Sequence, residues 1–227
     1  MQNGAFNIER ILGMCERFMY FLGVNLCFLA ANLPVLLFFS LAGISQVRAC
    51  LPLFLLCMVP FGPSLSAVFY CMNRLLNNTE TSVFKNFLHG YKSDLSLKLT
   101  VSFLQMFCIL VLWTNVEFFR YQMVIPVLSV LFTVLFAVVI CMTPTLYLLA
   151  SRYRMSVRQL IQDAVILLIT RPVITLGNIA AFALVLMFLE IQAGTTVLFM
   201  GTGYGFLVVF MNRKVIQELD EMSGETA

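Results

Sequence analysis

Apolar residues in this chain come in long unbroken runs, unlike the alternation of a half-buried strand or the one-sided stripe of a soluble helix. Six stretches carry no Asp, Glu, Lys or Arg: 18–47, 49–73, 99–116, 121–151, 172–189 and 191–212. A hydrocarbon core about 30 Å thick needs roughly 20 apolar residues in helix, so every run is long enough to cross, the third and fifth only just. The pattern predicts an all-α, polytopic transmembrane helical bundle forming a single membrane domain over residues 1–227. About six spanning helices are expected, near 18–42, 49–72, 97–116, 124–150, 172–190 and 194–212. The first run is too long for the apolar region of a signal peptide. Asn25, Asn32 and Pro34 interrupt it and no clear small-residue cleavage site follows, so it reads as a retained span.

Two of the loops between runs have a helical pattern of their own. Over residues 81–95, Val83, Phe84, Phe87, Leu88, Tyr91 and Leu95 recur at helical spacing, while Lys85, Asn86, His89, Lys92 and Ser93 fill the other face. Gly90 is a weak point within that helix. Over residues 156–168, Ser156 and Gln159 form a capping-box pair ahead of Val157, Leu160, Ile161, Ala164 and Leu168. Both segments read as amphipathic helices lying at a membrane surface. Pro63 and Arg74 precede the first much as Pro144 and Arg152 precede the second. This is either a parallel internal duplication or two loops of similar job with similar composition.

Charge sets the orientation. When the six runs are threaded through a bilayer, one side receives Arg10, Arg17, Arg74, Lys85, Lys92, Lys98, Arg152, Arg154, Arg158, Arg171, Arg213 and Lys214. The other receives only Arg48 and Arg120, near Trp113, Phe118, Phe119 and Tyr121, rings that favour a membrane interface. Both termini and both surface helices are therefore expected on the cytoplasmic side of the membrane.

Composition agrees and narrows the field. Of 227 residues, 61% are hydrophobic and 11% charged, with mean hydropathy +0.95. A soluble domain carries about twice that charged fraction. The net charge of +3 comes from scattered basic residues and suggests no nucleic-acid partner. The seven cysteines, Cys15, Cys27, Cys50, Cys57, Cys71, Cys108 and Cys141, make no C-x-x-C pair and read as packing residues. One histidine, His89, stands without a metal-spaced cluster, and no protease, hydrolase or phosphate-loop motif is present. No enzyme, metal or cofactor is expected.

Weaker motifs mark candidate sites. Thr202-Gly203-Tyr204-Gly205 superficially matches a potassium-filter loop but lacks its Val and a pore helix. Gly201 and Gly205 form a G-x-x-x-G pair that favours close helix packing. No charge falls at mid-membrane depth, which argues against a proton-coupled pump. The neutral polar residues Asn25, Asn32, Gln105, Asn178 and the 143–147 stretch would either line a solute path or bond between helices. Pro34, Pro60, Gly62, Pro63 and Pro144 should bend or break their helices, with any cavity expected around 60–63. Asp163-Ala164 followed by Arg171-Pro172 resembles the coupling loop of sugar ABC permeases, but without its glycine.

Pro34, Gly62-Pro63 with Ala67 and Arg74, Phe84-Lys85-Asn86-Phe87, Pro144, Ser156-Val157 and Arg171-Pro172 together resemble the YesL-like family of bacterial membrane proteins of unknown function. The resemblance covers nearly the whole chain. It implies a link to saccharide utilisation, as an accessory or regulatory membrane component beside sugar ABC-transporter subunits or a sensor system. The partner contacts expected on that reading are Arg74, Lys85, Lys92, Arg152, Arg158 and Asp163. The alternative is a facilitator for a small neutral solute, lined by Asn25, Asn32, Gln105 and Asn178. Substrate and oligomeric state are not legible in the sequence.

Overall fold

The computed structural model describes residues 8–79, 82–122 and 126–223, and every regular element among them is a helix. The fold is an all-α bundle of the membrane type. Five stretches, Leu12–Ala31, Leu51–Leu76, Leu95–Tyr121, Pro126–Arg152 and Pro172–Ile191, are long and apolar enough to cross a bilayer.

The first apolar run is divided into α1 (Ile8–Ala31) and α2 (Leu33–Leu41). Pro34, in the first turn of α2, has no N–H to offer the carbonyl four residues back, and Asn32 leaves helical geometry at φ −98°, ψ 21°. A 3-10 turn, Ile44–Gln46, leads to α3 (Leu51–Cys57) and then α4 (Phe61–Leu76). Pro60 and Pro63 enforce the break between them. Next come α5 (Val83–Lys92) and α6 (Leu95–Glu117), which runs into a π-helical turn, Phe118–Gln122. The chain continues through α7 (Pro126–Arg152), α8 (Val157–Thr170), α9 (Pro172–Ile191), α10 (Ala193–Val197) and α11 (Met200–Ser223).

The sixth expected span differs from the other five. Its run is cut at 198–199, and α11 passes from its apolar half directly into Asn212, Arg213 and Lys214. Gly194, Thr195 and Thr196 before the cut, and Gly201, Thr202 and Gly203 after it, are poor helix formers, so the apolar run does not make one continuous helix. At Pro144 the helix does not break: α7 runs through it. Residues 144–150 are all buried, and packing against α4 holds the helix where a lone proline would open it.

α4 is the centre of the bundle. Residues 62–69 are buried on every side, and α1, α5, α6, α7 and α11 all contact this helix. Lipid provides no hydrophobic drive for helix association, so close packing must supply it, and small residues allow that packing. Gly62, Ser64, Ser66 and Ala67 give α4 a slim waist. Gly90 lets α5 lie so close that a Cβ there would come within 3.1 Å of the Ala67 Cα. Gly205 of α11 presses in the same way on Val68, and Gly201 on Phe28 and Asn25.

The two amphipathic loop segments form α5 and α8. Phe87 and Gly90 turn inward in α5, and Leu160 and Ala164 in α8. Residue 81 lies outside the described residues. The Ser156–Gln159 capping box is complete: the Gln159 N–H donates to Ser156 Oγ at 3.4 Å and the Ser156 N–H to Gln159 Oε1 at 3.1 Å. Ser82 makes no equivalent side-chain cap, so the two loops differ in detail.

Packing at Gly62 leaves no room for a methyl group, because a Cβ would meet the Tyr147 ring at 2.6 Å and Ser102 Oγ at 2.7 Å. Gly62→Ala should lower stability by about 1–3 kcal/mol. Thermal unfolding of the purified protein in detergent reads this against Gly13→Ala, where space is open. Equal midpoints for the two variants would contradict the packing described here.

Candidate functional site

At each of the helix breaks near 32, 58–60 and 198–199 a polar side chain meets the exposed backbone, at the last two from a distant helix. Lipid offers no hydrogen bonds, so these groups need protein partners. Asn25 of α1 is fully buried at the junction of α10 and α11. Its Nδ2 donates to the Val197 carbonyl at 2.8 Å, while its Oδ1 accepts from the Gly201 N–H at 3.0 Å and the Thr202 N–H at 3.4 Å. It closes the end of one helix and caps the start of the next, a capping role played from a distant part of the chain.

The α3–α4 break is closed in a similar way. Pro63 cannot donate to the Val59 carbonyl, and Ser102 Oγ of α6 donates to it instead, at 2.7 Å. Two residues past Gly62, Ser64 Oγ accepts from Asn32 Nδ2 at 2.8 Å and donates to the Phe61 carbonyl. Asn32 Nδ2 also reaches the Phe28 carbonyl at 2.8 Å, steadying the α1–α2 break. Gln105 joins α6 to α7, donating to Thr143 Oγ1 at 2.6 Å and accepting from the Tyr147 hydroxyl at 2.7 Å. Asn178 of α9 accepts from Asn212 Nδ2 of α11 at 3.0 Å.

The four polar residues considered as a solute lining therefore do not converge on one path. Each sits in its own inter-helix joint. The 60–63 region, where a cavity is expected from the sequence, is filled by Tyr147, Ser102 and Phe61. Thr202-Gly203-Tyr204-Gly205 is helical, and the Tyr204 ring packs between Phe69 and Phe182, so its backbone is not a filter. Among the described residues, the buried polar atoms Asn32 Oδ1, Ser66 Oγ and Asn178 Nδ2 have no hydrogen-bond partner.

Basic residues gather at one end of the bundle. Arg17 donates to Asn78 Oδ1 at 2.9 Å, Arg152 to Asn73 Oδ1 at 2.9 Å, and Arg154 pairs with Asp94 at 3.4 Å. Arg171 pairs with Glu218 of α11. These contacts bring the chain near 17, 78, 94, 154, 171 and 218 to a common end.

Arg74 is tied down there: it donates to the Thr79 carbonyl, the Tyr70 hydroxyl and Asn86 Oδ1, and stacks over the Tyr70 ring at 5.8 Å. Asn86 in turn donates to the Tyr20 hydroxyl at 3.0 Å. Lys98, 1% exposed, donates to the Gly90 carbonyl at the end of α5 at 2.7 Å. Burial raises the Tyr91 phenol above its ordinary value, so it stays neutral beside the stacked Phe87 ring. Lys85, Lys92 and Arg158 remain exposed, and Asp163 is half-buried.

The sequence singles out the asparagines, Gln105 and the 143–147 stretch, but not Ser64 or Asn212, which bond two of the asparagines, nor Ser102, which bonds the Val59 carbonyl. Pro63 was the available signal for Ser102, since a proline inside an apolar run frees a carbonyl that something must bond. Lys98 had been counted as a surface cation because it stands next to a charged loop. Among the described residues no three His, Cys, Asp or Glu side chains gather as metal ligands.

Comparison with known proteins gives one likeness. A family model described as "Protein of unknown function, DUF624" matches residues 21–116. The chain is similar to that family over this stretch. It covers the second half of α1 and nearly all of α6, with the two proline-rich breaks and α5 between them. No curated protein and no solved structure matches.

The joint at Asn25 has a measurable consequence. Asn25→Leu leaves a carbonyl and two amides without partners and should cost about 1–3 kcal/mol. Hydrogen exchange at the Gly201 and Thr202 amides should speed up markedly. Asn115→Leu, which removes only a bond to the Val111 carbonyl of its own helix, is the control. Unchanged exchange at Gly201 in Asn25→Leu would refute the capping role.

Proposed function

We propose that this protein is a non-enzymatic, multi-pass component of the bacterial cytoplasmic membrane. In this reading both termini face the cytoplasm, and the protein docks a partner of a carbohydrate-uptake system through its basic end. The observation that carries it is a division of labour among the cations: Arg17, Arg74, Lys98 and Arg152 are engaged in internal hydrogen bonds. Lys85, Lys92 and Arg158 are exposed on two helices that are each anchored to the bundle by an apolar face. Anchored helices bearing exposed cations suit recognition of an acidic protein surface. Arg74 and Arg152 thus move from docking residues to structural ones, and Asp163, half-buried, stays a secondary contact.

The link to saccharides rests on the resemblance to the YesL-like family. A facilitator lined by Asn25, Asn32, Gln105 and Asn178 draws less support, since all four are already engaged in hydrogen bonds between or within helices.

Charge reversal at Lys85, Lys92 and Arg158 should abolish co-purification of the partner and sugar-dependent growth while leaving membrane insertion and thermal stability unchanged. Arg74→Gln should instead lower stability. If the triple reversal retained full partner recovery and growth, the docking reading would fail. Orientation is tested separately on a cysteine-free background. A chain keeping only Cys50, which is exposed, should react with a membrane-impermeant maleimide in intact cells, whereas Lys85→Cys should react only after permeabilisation. The reverse pattern would invert the topology.

A further inference from the structure

We propose that the end of the bundle opposite the basic surface holds a selective site for the phosphate of an anionic phospholipid, centred on Arg120 and Arg48. The proposal depends on the membrane character of the fold and not on partner docking.

Arg48 lies between the 3-10 turn and α3, and Arg120 lies in the π-helical turn that ends α6. Both guanidinium groups stand over one ring, that of Tyr121, at 5.9 Å and 5.6 Å from its centre. Glu117 pairs with Arg48 at 2.8 Å, whereas Arg120 has no carboxylate partner among the described residues. The cluster therefore carries one unneutralised positive charge, held in place by stacking. The wider π-helical turn is what brings Arg120 and Tyr121 to this position, a distortion that recurs at functional sites.

The surrounding shape fits a lipid. A cleft of about 310 Å³ is lined by Arg48, Trp113, Glu117, Arg120, Tyr121 and Phe136. A second, of about 390 Å³, shares Arg120 and Thr133 with the first and continues over Pro126, Ser129 and Val130 of α7. Exposed Val127, Leu131 and Val134 extend this apolar wall. A cationic mouth thus opens onto an apolar track, the arrangement of a headgroup and its acyl chain.

A saccharide fits less well. Trp113 packs against Phe136 at 5.8 Å and both guanidinium groups stand over the Tyr121 ring, so a sugar stacking on either ring would have to displace these contacts. What remains is a fork of N–H donors, which matches phosphate oxygens. Free phosphate would gain nothing from the apolar track, whereas a phospholipid uses both parts.

The test uses the full chain purified in neutral detergent, with lipid binding read by native mass spectrometry and by the unfolding midpoint. Phosphatidylglycerol should be retained at one molecule per chain and should stabilise at lower concentration than phosphatidylcholine, while sodium phosphate leaves the midpoint unmoved. Arg120→Gln should weaken phosphatidylglycerol binding about tenfold, equivalent to about 1.4 kcal/mol. Arg120→Lys should retain part of that affinity, and the double variant Lys85→Gln with Arg158→Gln should bind like the unaltered protein. Arg120 is exposed and pairs with no carboxylate among the described residues, so its loss spares the fold, as matching circular dichroism would verify. Equal binding of the two lipids, an equal shift with sodium phosphate, or full retention by Arg120→Gln would each overturn the proposal.

Discussion

The need to satisfy every backbone N–H and C=O without help from water governs this structure. Apolar composition alone would allow six straight helices. Prolines and glycines interrupt three of the apolar runs, at Asn32, at 58–60 and at 198–199. Each interruption exposes polar backbone in a medium that cannot bond it. Asn32 with Ser64, Ser102 at Val59 and Asn25 at Gly201 repair the three breaks, and each repair except Asn32's contact with Phe28 joins segments distant in sequence. Tertiary structure is thus specified by where the helices fail. Apolar side chains, which meet lipid and protein on nearly equal terms, say much less about which helix should lie beside which.

That logic separates what the sequence discloses from what it conceals. Run lengths disclosed the all-α membrane class because a bilayer imposes a length on any helix that enters it. Helical periodicity and the Ser156–Gln159 pair disclosed α8, since a capping box is local chemistry. The discontinuity before Met200 arises from a local run of poor helix formers that a charge-free length does not register, and its capping residue, Asn25, stayed hidden because it lies 176 residues from Gly201. Pro144 shows the converse: its break-forming tendency is local, but the burial of 144–150 around which α7 stays continuous is not. Individual polar residues were visible as candidates, and their pairings were not, because spacing along one helix carries no information about the facing helix.

Charge behaves differently at the two ends. At the basic end Arg17, Arg74, Lys98, Arg152, Arg154 and Arg171 are absorbed into the architecture, while Lys85, Lys92 and Arg158 stay exposed on α5 and α8 and Arg213 and Lys214 on α11. At the opposite end a single ring collects both arginines, and one carboxylate neutralises only one of them. Similar residue types therefore do unlike work. A count of positive charge per loop, adequate for guessing which way a chain threads, does not reveal which of those charges are available to a partner.

The contact between Lys98 and the Gly90 carbonyl also has a mechanical meaning. A buried ammonium at the root of α6 grips the tail of α5, while the missing side chain at Gly90 lets α5 rest directly on the α4 backbone. The surface helix is therefore no loose flap. Load applied to it passes straight into the central pillar of the bundle, so that whatever pulls on this short arm pulls on the whole core.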